Sequence, residues 1–227
     1  VYNDESYDIK RWSGLGEINK KLYLNDVLLE GDLNFGLDLY SIQGRPQTDS
    51  DNNKYIDRFS TGFSIAVSKQ YDFASENFGM VFEPKIQFSS LFSPDRTDEI
   101  PNRDSSEFIL DQANLFLNNQ YQGRDNIQKS DRINVGIDSL IITEDLGNVN
   151  FFLGQSQKIS GTQKNINNIK QNRQSHFINS IDWNPNNLLH FSWFALYNHH
   201  TLKSDISDFN VIGSINNFNY SVNHKSL

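Results

Sequence analysis

Residues 31–42 read GDLNFGLDLYSI, in which Leu or Phe occupies every odd position from Leu33 to Leu39. Small or polar residues, among them Asn34 and Asp38, lie between them. Successive side chains of a β-strand point to opposite faces of the sheet, so this alternation places all the apolar side chains on one face. The stretch predicts a β-strand with one apolar face and one polar face.

The same period of two recurs along the whole chain. The segments are about 9 to 13 residues long, which matches a tilted membrane-spanning strand better than the usual globular strand of about 5 to 6 residues. We therefore predict an all-β fold: a fragment of an antiparallel transmembrane β-barrel, with about 10–12 strands in this piece. The period is strong in residues 58–69, 78–92, 132–142 and 189–197 and weaker in residues 12–24, 149–157, 176–183 and 209–219.

The connections between these segments are of two kinds. Residues 145–148 (DLGN) and 184–187 (NPNN) have the composition of short turns. Residues 44–57, 93–107 and 161–175 form longer polar stretches. Short turns at one end of a sheet and long loops at the other end are typical of outer-membrane barrels.

The composition fits a wall with lipid on one side and water on the other. The 227 residues include 17 Phe but only 1 Met, and the mean hydropathy is −0.59. No stretch approaches the roughly 20 apolar residues that a membrane-spanning helix needs. A soluble β-sandwich also alternates, but its outward face normally carries Lys, Glu and Thr. The barrel is favoured, and the sandwich stays open as an alternative.

Several function classes are disfavoured by the sequence. The net charge of −8 argues against a nucleic-acid partner, because binding phosphates requires a basic surface. There is no Cys, and we recognise no catalytic set, metal site or cofactor motif. We therefore expect a protein that is not an enzyme. The first residues, VYNDE, do not resemble a signal peptide, so we expect a mature chain or a fragment.

The polar face of the predicted strands is the candidate functional surface. Glu83 and Lys85 lie two residues apart on that face, either as a charged pair along a conduit or as part of an ordinary cross-strand ion-pair network. We predict that the polar-face residues line a water-filled lumen. This predicted luminal set is Asn34, Asp38, Glu83, Lys85, Gln87, Asn134 and Asp138.

Two places depart from the strand pattern. Residues 108–119 (FILDQANLFLNN) have apolar side chains in clusters rather than in alternation, which indicates a short helix or an in-folded loop. Pro84 lies inside a strong strand pattern, where it removes a hydrogen-bond donor, and it predicts a bulge or an edge position.

Five short motifs follow one another between residues 82 and 137. They are FEPKIQF at 82–88, IPNRDS at 100–105, DQANLF at 111–116, NQYQGRDN at 119–126 and NVGI at 134–137, and LGQS at 153–156 follows them. In order and spacing they resemble the C-terminal barrel of the LPS-assembly outer-membrane protein family (LptD or OstA type). The motif residues are Glu83, Pro84, Lys85, Ile100, Pro101, Asn102, Asp104, Ser105, Asn114, Leu115, Phe116, Gly123, Asp125 and Gly136.

The resemblance implies a function and a location. It implies lipopolysaccharide transport and insertion into the outer leaflet of the Gram-negative outer membrane. It also implies as partners lipopolysaccharide itself, outer-membrane lipid, a plug lipoprotein inside the barrel and a periplasmic transport bridge. Residues 1–227 would be part of a single barrel domain, without the periplasmic domain that precedes the barrel in the family. Another outer-membrane channel or porin and, less favoured, a secreted β-sandwich binding module are the alternatives.

Overall fold

In the part of the chain that the structure describes, all the regular elements are β-strands. A computed structural model describes residues 8–43, 53–94, 99–107, 109–119, 121–125, 127, 129–161, 175–215 and 218–226. Within these ranges no helix is long and apolar enough to cross a membrane. The strands are β1 (Asp8–Leu24), β2 (Val27–Gln43), β3 (Asn53–Lys69), β4 (Tyr71–Ser75), β5 (Phe78–Phe92), β6 (Ser106–Glu107), β7 (Tyr121–Gln122), β8 (Ser130–Thr143), β9 (Gly147–Ser160), β10 (Phe177–Asn186), β11 (Leu189–Tyr197), β12 (Ser204–Ile215) and β13 (Phe218–Ser226).

Eleven of these strands form one antiparallel sheet. Its order is β1-β2-β3-β5-β8-β9-β10-β11-β12-β13, with β4 paired to β5, and β6 and β7 form a separate two-stranded ladder. The all-β antiparallel prediction is therefore confirmed. In the described part of the chain the sheet is not closed, because β1 and β13 are its two edges.

The sheet has the opposite polarity to that of a soluble protein. In β2 the side chain of Leu37 is 47% exposed, whereas that of its neighbour Asp38 is 0% exposed. The same contrast holds along β3 and β5, where Phe63 and Ile86 are exposed while Ser64 and Gln87 are buried. A two-layer sandwich would bury the apolar residues. The single sheet with an exposed apolar face therefore argues against the sandwich alternative.

The polar face is buried because the chain between β5 and β8 folds back over it. We call the described residues of 99–127 the covering segment, the polar face beneath it the inner face, and the opposite face the outer face. Leu115 of this segment packs against Phe152, Ile178 and Leu196 of β9, β10 and β11. Ile100 packs against a second cluster, formed by Tyr40, Ile42 and Ile56 on β2 and β3. The segment thus reaches from one side of the sheet to the other.

The structure differs from the sequence-based prediction at several strand and loop boundaries. β3 begins at Asn53, inside the predicted loop 44–57, and the predicted strand 209–219 is divided between β12 and β13. Residues 44–52 and 162–174 of the predicted loops lie outside the described residues. Pro84 was predicted to mark a bulge or an edge position: β5 as a whole lies inside the sheet, but Pro84 has no ladder partner on the side of β3 and β4, and the register on that side does not shift.

Candidate functional site

A row of hydrogen-bonded polar side chains crosses the inner face. Asn134 donates to Gln87 Oε1 at 2.8 Å and accepts from the Ser156 hydroxyl at 2.6 Å. Gln87 in turn donates to Ser64 Oγ at 3.3 Å. The row thus joins neighbouring strands β3, β5, β8 and β9. Buried amide and hydroxyl groups are costly unless they are paired, and here each one finds its partner on the adjacent strand.

A buried ionic cluster lies on β2 and β3. Asp38 accepts from Arg58 at 2.9 Å, from Arg124 Nε at 2.9 Å and from the Ser13 hydroxyl at 2.7 Å. Arg124 belongs to the covering segment, so this carboxylate links strands β1, β2 and β3 to the chain that lies over them. An ion pair in such a buried position holds together only when further hydrogen bonds satisfy both charges.

The cluster continues to Asp125, the next residue of the covering segment. Arg58 donates to the backbone carbonyl of Asp125 at 2.8 Å and also to that of Arg124. The Asp125 carboxylate accepts from Tyr40 at 3.2 Å and from Arg11 at 2.9 Å. Three arginines and two aspartates with the Tyr40 hydroxyl therefore fix this part of the segment against β1, β2 and β3.

Asp104 and Asp125 also bind each other's backbone. Asp104 accepts from the N–H groups of Arg124 and Asp125 at 3.0 and 2.9 Å, and Asp125 accepts from those of Arg103 and Asp104 at 2.9 and 3.1 Å. Burial acts to raise the pKa of Asp104, but those two N–H groups and the Arg11 guanidinium outweigh it and hold the pKa well below its usual range. The carboxylate of Asp104 is therefore charged at neutral pH.

Gly123 makes this arrangement possible. Its φ is +77°, and a Cβ added there would lie 2.1 Å from the backbone oxygen of Asp104. Both the conformation and the close approach exclude other residues. This is the physical reason for a glycine immediately before Arg124 and Asp125.

The middle of the covering segment is an in-folded loop rather than a helix. Asp111 and Asn114 exchange hydrogen bonds between side chain and backbone at 2.9 and 2.8 Å, which closes a tight turn. After the turn the Phe116 carbonyl accepts from Gln87 at 2.9 Å. The Leu115 and Phe116 side chains lie over Gly154 and Gly136, where an added Cβ would approach them to 2.5 and 2.9 Å. The loop alternative of the sequence analysis is confirmed for residues 109–119, while Phe108 lies outside the described residues.

Toward the short turns the inner face carries a second charged group. Lys85 contacts Glu30, and Lys21 lies 2.7 Å from the same carboxylate. Lys85 also lies over the Phe116 ring at 5.1 Å. The geometry favours the ion-pair network for Lys85, with Glu30 rather than Glu83 as its partner. Glu83 instead lies directly across the ladder from Asp138, which accepts from Gln112 of the covering segment.

The inner face brings the predicted luminal residues together. Asp38, Gln87 and Asn134 are buried under the covering segment, and Asn34, Glu83, Lys85 and Asp138 are half-buried. A cavity of about 400 Å³ lies beside Arg124 and is lined by Asn34 and Ser60, and one of about 280 Å³ is lined by Glu83, Lys85 and Asp138. That these residues line a lumen stays a prediction. Among the described residues no group of three or more His, Cys, Asp or Glu could hold a metal ion.

The family motifs have distinct structural roles. Most motif residues dock or shape the covering segment: Ile100, Asp104, Asn114, Leu115, Phe116, Gly123 and Asp125. Gly136, on β8, leaves room for the Phe116 side chain. Asn102 and Ser105 close a turn of their own at 2.8 and 2.9 Å. Sequence reasoning missed Arg11, Tyr40, Arg58 and Arg124. A charged residue such as Arg58 at the head of a face otherwise made of Ser, Gly and Ala was the available signal.

Comparison with known proteins agrees with the motifs. A family model described as "LptD: LPS transport system D" matches residues 2–225. The chain belongs to this family.

Two curated relatives carry the name LPS-assembly protein LptD. The protein of Nitrosomonas europaea is 26% identical over 126 residues, which is 53% of this chain and 17% of that relative. The protein of Nitrosomonas eutropha is 28% identical over 116 residues, which is 48% of this chain and 16% of that relative. The matched part is thus about a sixth of the length of either LptD relative.

Proposed function

We propose that this chain is part of an outer-membrane barrel that transports lipopolysaccharide and inserts it into the outer leaflet. One observation supports this most directly: a chain of the LPS transport system D family forms a long sheet whose apolar face is exposed and whose polar face is buried. Such a sheet is stable when lipid covers its outer face and water or polar groups cover its inner face. The role is transport and not catalysis.

In this proposal the inner face lines the path of the saccharide part. Sugars carry many hydroxyl groups, and Asn34, Glu83, Lys85 and Asp138 offer half-buried donors and acceptors next to the two inner cavities. The acyl chains would stay in the membrane, because moving them across a polar surface forfeits roughly 0.8 kcal/mol per methylene. The polar surface would therefore separate the two halves of the glycolipid.

The covering segment would narrow the lumen. It is fixed at one end by Arg58, Arg124 and Asp125 and near its middle by Leu115. A passing saccharide would share the remaining inner space with this segment. The partners we propose are lipopolysaccharide, a plug lipoprotein inside the completed barrel and a periplasmic transport bridge. The location we propose is the Gram-negative outer membrane.

The test is depletion of the full-length parent protein in its own cells. We expect lipopolysaccharide to disappear from the cell surface and to accumulate inside the envelope, and re-expression to restore it. Normal surface lipopolysaccharide together with altered uptake of small solutes would contradict the proposal and support the porin alternative.

A second experiment tests the assignment of the two faces. A photoreactive residue at Asn34 should cross-link to the saccharide of lipopolysaccharide during transport. The matched control is Leu37, on the same strand but on the opposite face, which should cross-link to bulk membrane lipid. Cross-linking of both positions to the same species would contradict the assignment of faces.

A further inference from the structure

The outer face has a hollow where Pro84 interrupts the hydrogen-bond ladder. The register of β5 runs to Ser68↔Lys85 on β3 and resumes at Tyr71↔Phe82 on β4. Lys69 and Gln70 therefore lie opposite Pro84 and Glu83 without ladder pairing, although the register does not shift. Proline has no N–H group to donate, which accounts for an interruption at this place.

The hollow is lined mainly by apolar side chains from several strands. Its volume is about 510 Å³, and its lining includes Val67, Pro84, Ile86, Val135, Ile137 and Leu153. This volume is within the range of about 300–1,000 Å³ found for small-ligand sites. It is continuous with the exposed apolar wall, since Ile65 and Phe88 lie next to it on the outer face.

A cation lies at the rim of this hollow. Lys69, the last residue of β3, lines the hollow and lies over the ring of Tyr71 at 5.1 Å. The carboxylate of Asp26 lies 3.9 Å from the Lys69 ammonium, and the Asp26 side chain is 80% exposed. Lysine and tyrosine side by side on an apolar surface are typical of the level where lipid headgroups meet hydrocarbon. An anionic headgroup would easily replace so distant and exposed a partner as Asp26.

We propose that this hollow binds one acyl chain of an anionic phospholipid, with Lys69 at the headgroup phosphate. The proposal rests on the proposed function, because it requires the outer face to lie in the membrane. A protein partner fits less well, since protein interfaces surround their apolar centre with a polar rim and here the apolar wall continues beyond the hollow. The site is distinct from the inner face and from the saccharide path.

The experiment uses the full-length protein in phosphatidylcholine vesicles that contain a minor fraction of phosphatidylglycerol. The phosphatidylglycerol carries a photoreactive diazirine on one acyl chain, and labelled peptides are mapped by mass spectrometry. We expect labelling around residues 67–69, 84–86 and 135–137 to exceed that of residues 35–39, the control wall on β2, several-fold. Ile137→Trp should fill the hollow and remove this excess labelling. Leu37→Trp, on the control wall, should leave the excess labelling of the hollow unchanged.

A second variant tests the headgroup contact. Lys69→Gln lies at the rim, so it leaves the wall intact even if Ile137→Trp fails to assemble. It should abolish the preference of the hollow for labelled phosphatidylglycerol over labelled phosphatidylcholine. An unchanged preference would overturn the role of Lys69.

The remaining outcomes separate this proposal from the proposed function. Equal labelling of the hollow and the control wall would overturn the site and leave the membrane barrel standing. A hollow without label on an otherwise labelled wall would mean that a protein, such as a second copy of the chain, covers it, and would also overturn the site. An outer face without any label would overturn both proposals.

Discussion

The guanidinium of Arg58 lies 2.9 Å from the carboxylate of Asp38, and the two residues face each other directly across the β2–β3 ladder. Their side chains are 2% and 0% exposed. Such a pair is costly to desolvate, so its value is in specificity as much as in stability. A one-residue slip of the β2–β3 register would bring each charge opposite the apolar face of the other strand. The pair therefore selects the register and, through Arg124, the docking position of the covering segment.

Asp38→Asn should strongly destabilise the full-length protein. It leaves the guanidinium groups of Arg58 and Arg124 without a countercharge in a buried place, and breaking such a pair costs about 3–5 kcal/mol. The measurement is the temperature at which the purified full-length protein loses its compact form on a detergent gel. Asp26→Asn, at an exposed turn position, is the control and should change nothing. Equal stability of the two variants would show that the Asp38 charge contributes nothing to folding.

Gly123→Ala should detach the covering segment without disturbing the sheet. The new Cβ would collide with the Asp104 backbone, and φ at this position is +77°. We expect rapid proteolysis within residues 99–127 and intact strands. Gly31→Ala is the matched control, because a Cβ there meets nothing within 4 Å. Proteolysis at the same rate in both variants would rule out this role of Gly123.

Leu115→Ala should loosen the middle of the segment and, on the proposed function, make the outer membrane leaky. Leu115 is 0% exposed, and replacing such a residue with Ala costs about 2–5 kcal/mol. Cells that carry the variant should take up large antibiotics more readily, while surface lipopolysaccharide should stay near normal. Leu117→Ala, at a site that is 47% exposed, is the control. Unchanged permeability in Leu115→Ala would show that the segment does not restrict the proposed lumen.

The sheet could be predicted from the sequence because its signal is local. Alternation at Leu33 to Leu39 or at Ile133 to Ile137 needs only neighbouring residues, and each strand had one face that could not be exposed to water without cost. The ends of the strands could not be predicted in the same way. Residues 53–57 lack a clear alternation, yet β3 includes them because they pair with β2.

The candidate site could be predicted only in part because it depends on long-range contacts. The partners Arg11 and Asp125 are 114 positions apart in sequence, and no local period reports that they meet. The motifs indicated residues such as Asp104 and Gly123 without saying what they contact. Glu83 and Lys85 were paired by their spacing, whereas in three dimensions Lys85 reaches Glu30, which the pattern could not show.

Acid should weaken the docking of the covering segment through Asp104. A carboxyl whose pKa is lowered in the folded state contributes stability that is complete above its ordinary pKa of 3.8 and is lost as the pH falls through the folded-state value. The unfolding temperature should therefore be flat near neutral pH and should fall below about pH 4. Asp104→Asn should lower stability at neutral pH and reduce the acid-dependent loss, since it removes the titrating group. An identical pH profile in this variant and in the parent protein would assign the acid sensitivity to other carboxyls.

The polar row on the inner face should not tolerate an apolar residue at its centre. Asn134 is the donor to Gln87 and the acceptor for Ser156, and it is 0% exposed. Asn134→Val removes both contacts at once and leaves two buried partners with lost hydrogen bonds, at about 1–3 kcal/mol for each group that finds no other partner. Gln87 also donates to the Phe116 carbonyl of the covering segment. A displaced Gln87 side chain should therefore weaken the docking of the covering segment and raise its rate of proteolysis. Val135→Leu, one position along β8 and on the outer face, should be neutral in both measurements. If Asn134→Val were as stable and as protected as Val135→Leu, the inner face would not need its hydrogen-bonded row, and its burial would come from apolar packing around Leu115 alone.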